Sequence, residues 1–74
     1  MTAKEVSTLR IGDMFFCGEF FKITDIYKSN GNIYVETHLC EFDYDKITDT
    51  GIEVKWRVKE LLHRLVKKCE ESRY

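Results

Sequence analysis

Residues 19–41, EFFKITDIYKSNGNIYVETHLCE, contain the strongest indication of secondary structure in the chain. Asn30 and Gly31 lie at the centre of this stretch, between two runs rich in β-branched and aromatic residues. An Asn-Gly pair supplies the two positive-φ positions of a type I′ turn, whose twist matches that of paired strands. The sequence therefore predicts a β-hairpin that reverses through a two-residue turn at these positions.

The two strands of this hairpin differ in the regularity of their alternation. After the turn, one face carries four residues that we expect to point into the core: Ile33, Val35, Thr37 and Leu39. Before the turn, Phe21 and Ile23 share a face, but Ile26 falls on the opposite one. A β-bulge near Thr24 and Asp25 would return Ile26 to the core and bend the strand, and we predict one there.

The segments on either side of the hairpin are shorter and less regular. Residues 14–17 are apolar and indicate a brief strand, which reverses at Gly18-Glu19. Residues 41–51 are acid-rich, and we interpret them as a connection, with a short strand around 42–44 as the alternative. Residues 1–7 are polar and are expected to be loose.

The hydrophobic period changes near Val58. Before that point, apolar and charged residues alternate strictly, which is typical of a half-buried strand with Ile52, Val54, Trp56 and Val58 on one face. From Val58 onward the apolar spacing is i, i+3, i+4, i+7, which predicts an amphipathic helix over 59–72 with a stripe of Leu61, Leu62, Leu65, Val66 and Cys69.

The predicted fold is therefore α+β within one domain, residues 1–74. Residues 8–58 form a small, mostly antiparallel, strongly bent β-sheet or partly open barrel of four or five strands, and the C-terminal helix follows. A chain of 74 residues has room for one core only. Such a thin core usually needs a staple or a partner to exceed about 3–5 kcal/mol of stability.

Cysteine usage and hydropathy bear on location. The three cysteines are odd in number and widely spaced, and the first residues contain no apolar run that could serve as a signal peptide. No stretch approaches the roughly 18 consecutive apolar residues of a membrane span. We therefore expect a cytoplasmic protein without a membrane partner.

Charge is distributed unevenly along the chain. Residues 1–54 carry five basic and ten acidic side chains, whereas residues 55–74 carry seven basic and three acidic ones. The total of −1 argues against a protein that coats nucleic acid non-specifically, because that binding depends on many phosphate contacts. A local basic surface near the C-terminus remains available for recognition.

Turn and core positions between residues 9 and 56 follow a recognisable frame: Leu9-x-Ile11-Gly12-Asp13-x-Phe15, Gly18-Glu19-x-Phe21-x-Ile23-x-x-Ile26, Phe42-Asp43 and Ile52-x-Val54. This frame resembles small β-barrels of the Src-homology-three type, including those of bacteriophages and mobile elements. It contains no catalytic residue. The resemblance implies a binding scaffold whose partners vary widely, and the leucine-rich segment after Trp56 departs from it.

Metal binding and catalysis are weakly indicated. His38 and Cys40 lie two residues apart and could be joined by Cys17, His63 or Cys69, but zinc sites commonly contain close cysteine pairs, and none occurs here. A cysteine nucleophile would need an activating base and an oxyanion site, and neither is signalled. The acids of residues 41–49 do not match a calcium-binding loop, because glycine arrives only at position 51. We expect no metal, no cofactor and no enzymatic activity.

The basic C-terminal part carries the sharper signal for binding. The candidate binding residues combine cations, two tyrosines that could offer aromatic surfaces, and two leucines of the predicted helix: Lys55, Arg57, Lys59, Arg64, Lys67, Lys68, Tyr27, Tyr34, Leu62 and Leu65. They favour a non-enzymatic protein-interaction module, such as a phage-type regulator or inhibitor that binds a host macromolecule. The alternative is a small barrel that binds nucleic acid through the basic face of residues 55–68.

Two further interpretations concern the apolar stripe. If Leu62 and Leu65 remain in water, they form an association site for a protein partner or for a second copy of the chain, which would be a homodimer. If the helix instead caps the barrel, the same leucines belong to the core and the surface is an ordinary solvated one.

Overall fold

The structure is a computed structural model and describes residues 1–69. Its elements in chain order are α1 (Ala3–Ser7), β1 (Met14–Phe16), β2 (Phe20–Ser29), β3 (Asn32–Asp43), β4 (Lys46–Arg57), α2 (Val58–Leu61) and β5 (Lys67–Lys68). The strands form one antiparallel sheet in the order β4-β3-β2-β1-β5, which is not closed into a barrel. The prediction of a small, mostly antiparallel sheet of four or five strands is confirmed.

The β2–β3 hairpin reverses through the predicted two-residue turn. Ser29 pairs with Asn32, so that only Asn30 and Gly31 lie between the strands. Their φ angles are 52° and 79°, both positive, as a type I′ turn requires. The prediction for this turn is confirmed.

The predicted irregularity in β2 is present as well. Ile23 pairs with Thr37 and Asp25 pairs with Glu36, which leaves Thr24 as the extra residue of a β-bulge. The Thr24 hydroxyl donates to the Glu36 carbonyl oxygen at 3.2 Å. Ile26 is returned to the core face, where it packs against the buried cluster.

The core lies on one face of the sheet, which we call the core face. Its rings are Phe15 and Phe21, stacked at 5.4 Å, with Trp56 packed edge-on against both at 5.2 and 5.1 Å. Thr37 is fully buried among them because its hydroxyl donates to the Val54 carbonyl oxygen at 2.7 Å and accepts from the Trp56 indole nitrogen at 3.2 Å. The other buried hydrophobic residues of the cluster are Met1, Ile23, Val35, Leu61 and Val66.

The alternating pattern predicted burial for two strand residues that the structure exposes. Ile33 is exposed because it lies next to the turn, at an end of the sheet beyond the buried cluster. Ile52 is exposed because β4 has a second irregularity: residues 50–52 lie opposite Leu39 alone, between the pairs His38 with Glu53 and Cys40 with Asp49. The predicted burial was therefore wrong for these two isoleucines and correct for Val35 and Thr37.

The predicted helix over 59–72 is wrong for the part that the structure describes. The helix α2 ends at Leu61, residues 62–66 form turns, and Lys67 and Lys68 pair with β1 as the edge strand β5. Strand pairing at the free edge of β1 continues with the Cys69 amide, which donates to the Met14 carbonyl oxygen at 3.0 Å. Tertiary pairing thus overrides helix propensity. Residues 70–72 of the predicted helix lie outside the described residues.

The N-terminal segment is ordered rather than loose. A capping box starts α1: the Glu5 amide donates to the Thr2 hydroxyl at 3.2 Å, and the Glu5 carboxylate accepts from the Thr2 amide at 2.9 Å. That backbone hydrogen bond lowers the pKa of Glu5. Met1 is buried, and its amino group donates to the carbonyl oxygens of His63 and Val66. The first residues therefore hold the 62–66 turns in place.

β3 and β4 continue as a two-stranded ribbon beyond the end of β2. The pairing of β2 with β3 stops at Phe20 and Cys40, whereas β3 and β4 pair onward to Asp43 and Lys46. We call residues 41–48 the arm, and every one of them is exposed. The interpretation of this segment as a connection was wrong, and the strand alternative is the one that the structure adopts, over a longer range.

Candidate interaction site

One apolar surface outside the core is formed by the 62–66 turns. Leu62 is 45% exposed and Leu65 is 65% exposed, although both neighbour buried residues in the chain. The two leucines line a shallow surface groove of about 580 Å³. We call this feature the groove, and its lining includes Cys17, Trp56, Lys59, Leu62, Leu65 and Val66.

The fold fixes the backbone of this surface at both ends. Leu61 and Val66 are buried in the core and flank the turns. Between them, the Leu65 amide donates to the His63 imidazole Nδ1 at 3.2 Å. The Val66 amide donates to the His63 carbonyl oxygen at 3.0 Å. The exposed leucines therefore stand on an anchored backbone, which lowers the entropic cost of binding a partner.

The rim of the groove is mostly basic. Lys59 and Glu60 line the groove directly. Arg64 and Lys67, together with Glu5, line a second depression that shares Leu62 and Val66 with the first. Lys68 has a different role, since it makes an ion pair with Asp13 at 3.8 Å and donates to the Thr8 hydroxyl at 3.3 Å. Within residues 1–69, Lys59, Arg64 and Lys67 make no ion pair.

A second candidate surface lies on the opposite, outer face of the sheet. Tyr27 and Tyr34 are cross-strand neighbours whose rings stack at 5.6 Å. The Lys55 ammonium lies 5.8 Å and 5.5 Å from their ring centroids, and Arg57 pairs with Tyr34. A hydrogen bond with Tyr27 raises the pKa of Lys55. We call these four residues the tyrosine patch.

The structure thus divides the basic residues that the sequence places in one run. Lys55 and Arg57 belong to β4, at one edge of the sheet, whereas Lys67 and Lys68 belong to β5, at the other. Of the ten candidate residues, the groove and its rim contain Lys59, Leu62, Arg64, Leu65 and Lys67. The tyrosine patch contains Tyr27, Tyr34, Lys55 and Arg57.

The exposure of the apolar residues in the arm is a feature that sequence reasoning missed. Phe42 is 58% exposed, Tyr44 is 90% exposed, and Ile47, which pairs with Phe42, is exposed as well. Tyr44 and Asp45 form the two-residue turn at the tip, where Tyr44 has a φ of 57°. Phe42 and Ile47 lie at equal distances from this turn, and this spacing could have indicated two paired strands. The acidic residues around them make the pattern hard to recognise in the sequence.

The base of the arm joins an aromatic row on the outer face. Phe20 lies 5.1 Å from Phe16 and 5.8 Å from Phe42, measured between ring centroids. Phe20 is the first residue of β2. Its contact with Phe42 therefore supports the arm at the end of β2, where the pairing of β2 with β3 stops. The row makes the base of the arm continuous with the body of the sheet.

A polar cluster ties three strands together beside the arm. The Asp49 carboxylate on β4 is 3.0 Å from the His38 Nδ1 on β3 and 3.4 Å from the Lys22 ammonium on β2. It also accepts from the Gly51 amide at 2.7 Å. The hydrogen bond with His38, followed by that with Gly51, lowers the pKa of Asp49 to about 2. This cluster is explained by strand pairing and does not present a reactive group.

Two of the cysteines, Cys40 and Cys69, have thiols that are not activated as nucleophiles. Burial, and then the charge of Asp49, raises the pKa of the Cys40 thiol. Burial also raises the pKa of the Cys69 thiol. A nucleophilic cysteine needs a lowered pKa and an electropositive, accessible environment, so these two thiols lack that property.

No match to a known protein identifies the chain. Comparisons with protein-family models, with curated proteins and with solved structures gave no match. Among residues 1–69 there is no group of three or more His, Cys, Asp and Glu side chains placed to hold a metal ion. The helices of the same described part are too short and too polar to cross a membrane.

Proposed function

We propose that this protein is a non-enzymatic interaction module that binds a protein partner through the groove. The observation that carries the proposal is the exposure of Leu62 and Leu65 on a backbone that Leu61 and Val66 anchor in the core. An exposed leucine side chain does not contribute the stabilisation that its burial would give. A fixed apolar patch beside a depression is typical of a docking site. The residues of the patch match the apolar positions expected to dominate binding strength.

The charged rim supports an acidic partner surface. Lys59, Arg64 and Lys67 lie around the leucines, and Glu60 is the one acid among the lining residues of the groove. Rim charges affect the association rate and the choice of partner more than the affinity. The resemblance to Src-homology-three-type barrels of phages adds the proposal that the partner is a host macromolecule and that the protein acts as a regulator or inhibitor.

A second candidate function is nucleic-acid binding through the tyrosine patch. The observation that favours it is the stack of Tyr27 and Tyr34 beside Lys55 and Arg57. Bases stack on aromatic rings, and cations bind the phosphates. Binding of this kind weakens steeply with salt, whereas binding at the groove depends mainly on apolar contact. Titration of single-stranded DNA at two salt concentrations would reveal it.

The first test replaces Leu65 by glutamate. Leu65→Glu places a charge in the groove and should abolish capture of partner proteins by the tagged chain from a lysate of its own cells. Because the side chain is largely exposed, the melting temperature should change little.

The matched control is Ile11→Glu. Ile11 is 64% exposed and Leu65 is 65% exposed, so both changes introduce the same charge at the same exposure. Ile11 does not line the groove. We expect the control to retain every protein that the wild type retains. If Leu65→Glu retains them equally, the groove is not the binding site.

A further inference from the structure

We propose that two copies of this chain associate in antiparallel orientation, with the arm of each copy docked in the groove of the other. The proposal rests on the proposed function, because it assigns an occupant to the same groove. It also gives a role to the arm, which the proposed function leaves unused. The residues contributed by the partner copy are Phe42, Tyr44 and Ile47.

Charge complementarity is the first argument. The arm carries three acids and one base, a net charge of −2: Glu41, Asp43, Asp45 and Lys46. Residues 59–68 carry four bases and one acid, a net charge of +3: Lys59, Arg64, Lys67, Lys68 and Glu60. The two surfaces attract each other and repel their own kind, which selects arm-to-groove contact over arm-to-arm or groove-to-groove contact.

Apolar complementarity is the second argument. Tyr44 is almost completely exposed at the tip of the arm and adopts a positive φ, which an aromatic residue seldom does. A residue held in such a conformation points to a functional constraint. Tyrosine is enriched among the anchor residues of interfaces, and the groove offers Trp56, Leu62 and Leu65 as its contact surface.

The position of the two surfaces decides between a folded-back arm and a second copy. The arm continues β3 and β4 beyond the end of β2, so its tip extends away from the body of the sheet that carries the groove. The base of the arm packs through Phe42 on Phe20 of the outer face, whereas Trp56 of the groove packs on the core face, so an arm that keeps this packing does not enter the groove of its own chain. Two antiparallel copies instead satisfy both contacts at once and close as a dimer, whereas a head-to-tail arrangement would grow without end.

The test uses two variants that each disable one half of the contact. Tyr44→Asn removes the anchor and suits the positive φ, because asparagine tolerates that region. Leu65→Glu blocks the groove. The wild type should sediment as a dimer, and each variant alone should self-associate at least about tenfold more weakly.

Mixing the two variants gives the decisive result. The Leu65→Glu chain keeps an intact arm and the Tyr44→Asn chain keeps an intact groove, so the mixture retains one complete contact per pair. We expect the mixture to form heterodimers that neither variant forms by itself. Far-UV circular dichroism of each variant establishes that both are folded. A mixture that stays monomeric while the wild type is dimeric overturns the arm-to-groove assignment.

Failure of this inference is distinguishable from failure of the proposed function. A wild type that is monomeric at every concentration overturns the dimer, yet the capture experiment with Leu65→Glu and Ile11→Glu still decides whether the groove binds another protein. Charge exchange is the remaining check. Asp43→Lys with Asp45→Lys should disrupt the dimer, and adding Lys59→Glu with Arg64→Glu in the same chain should restore it. Absence of restoration contradicts the charge argument.

Discussion

The two turns that bound β3 differ in composition and in what surrounds them. Asn30 and Gly31 close the end that lies in the body of the sheet, and both residue types favour the positive φ that they adopt. Tyr44 and Asp45 close the end that forms the arm, and there an exposed aromatic ring occupies a positive φ. The first turn is suited to folding, whereas the second carries a residue that folding does not favour.

The strands next to these turns show the same difference. In the body, β3 is paired on both sides, by β2 and β4, and its core face is covered by the buried cluster. In the arm, β3 pairs only with β4, and all residues of 41–48 are exposed. A lone two-stranded ribbon is marginally stable in water. The difference indicates that the body determines the stability of the fold, and it supports the proposal that the arm contacts a second copy.

Replacing an isoleucine by alanine in the body and in the arm should give the largest difference in the free energy of unfolding. Ile23 is fully buried in β2, and Ile47 is 45% exposed in the arm. Ile23→Ala should lower the free energy of unfolding by about 2–5 kcal/mol, because it removes buried methyl groups and leaves a cavity. Ile47→Ala should change it by less than about 0.5 kcal/mol. Urea denaturation at a low, monomeric chain concentration measures both. Equal losses would mean that the arm is part of the folding unit.

An intermediate effect is expected at the turns. Gly31→Val forces a β-branched residue to a φ of 79°, with no neighbouring atom within 4 Å of the added Cβ, so the cost is backbone strain alone. We expect a loss of about 1–3 kcal/mol. The matched change Tyr44→Asn should cause no loss, because asparagine is more tolerant of positive φ than tyrosine. Thermal unfolding of the two variants decides this, and a larger loss for Tyr44→Asn would remove the contrast between the turns.

The predictions from sequence succeeded where local chemistry and burial agree. Asn30-Gly31 determines its own conformation, and the break in alternation at Ile26 revealed the bulge, because an isoleucine on the wrong face conflicts with burial. Thr37 was placed correctly by alternation alone. Its partners, the Val54 carbonyl and the Trp56 indole, were not visible in the sequence, because cross-strand hydrogen bonds depend on the register.

The predictions failed where distant parts of the chain compete for the same residues. The spacing of Leu61, Leu62 and Leu65 suits a helix, yet the free edge of β1 draws Lys67 and Lys68 into β5 instead. The exposure of Leu62 and Leu65 agrees with the interpretation of an available stripe, although they stand on turns rather than on a helix. The full length of the arm and its apolar surface were missed because its hydrophobic residues are few and acids surround them.

The smallest effect sharpens the boundary between body and arm and concerns Asp49. Its folded-state pKa of about 2 lies below the ordinary value of 3.8, because His38 and the Gly51 amide stabilise the carboxylate. A lowered pKa contributes stability that is fully present above about pH 4 and is lost as the pH falls towards 2. In Asp49→Asn this contribution is absent, so its free energy of unfolding should fall less steeply over that range than that of the wild type. Asp45→Asn, on the arm, is the control and should follow the wild-type curve. Denaturant titrations at successive pH values measure the slopes, and parallel curves for Asp49→Asn and the wild type would show that this carboxylate does not hold the end of the body together.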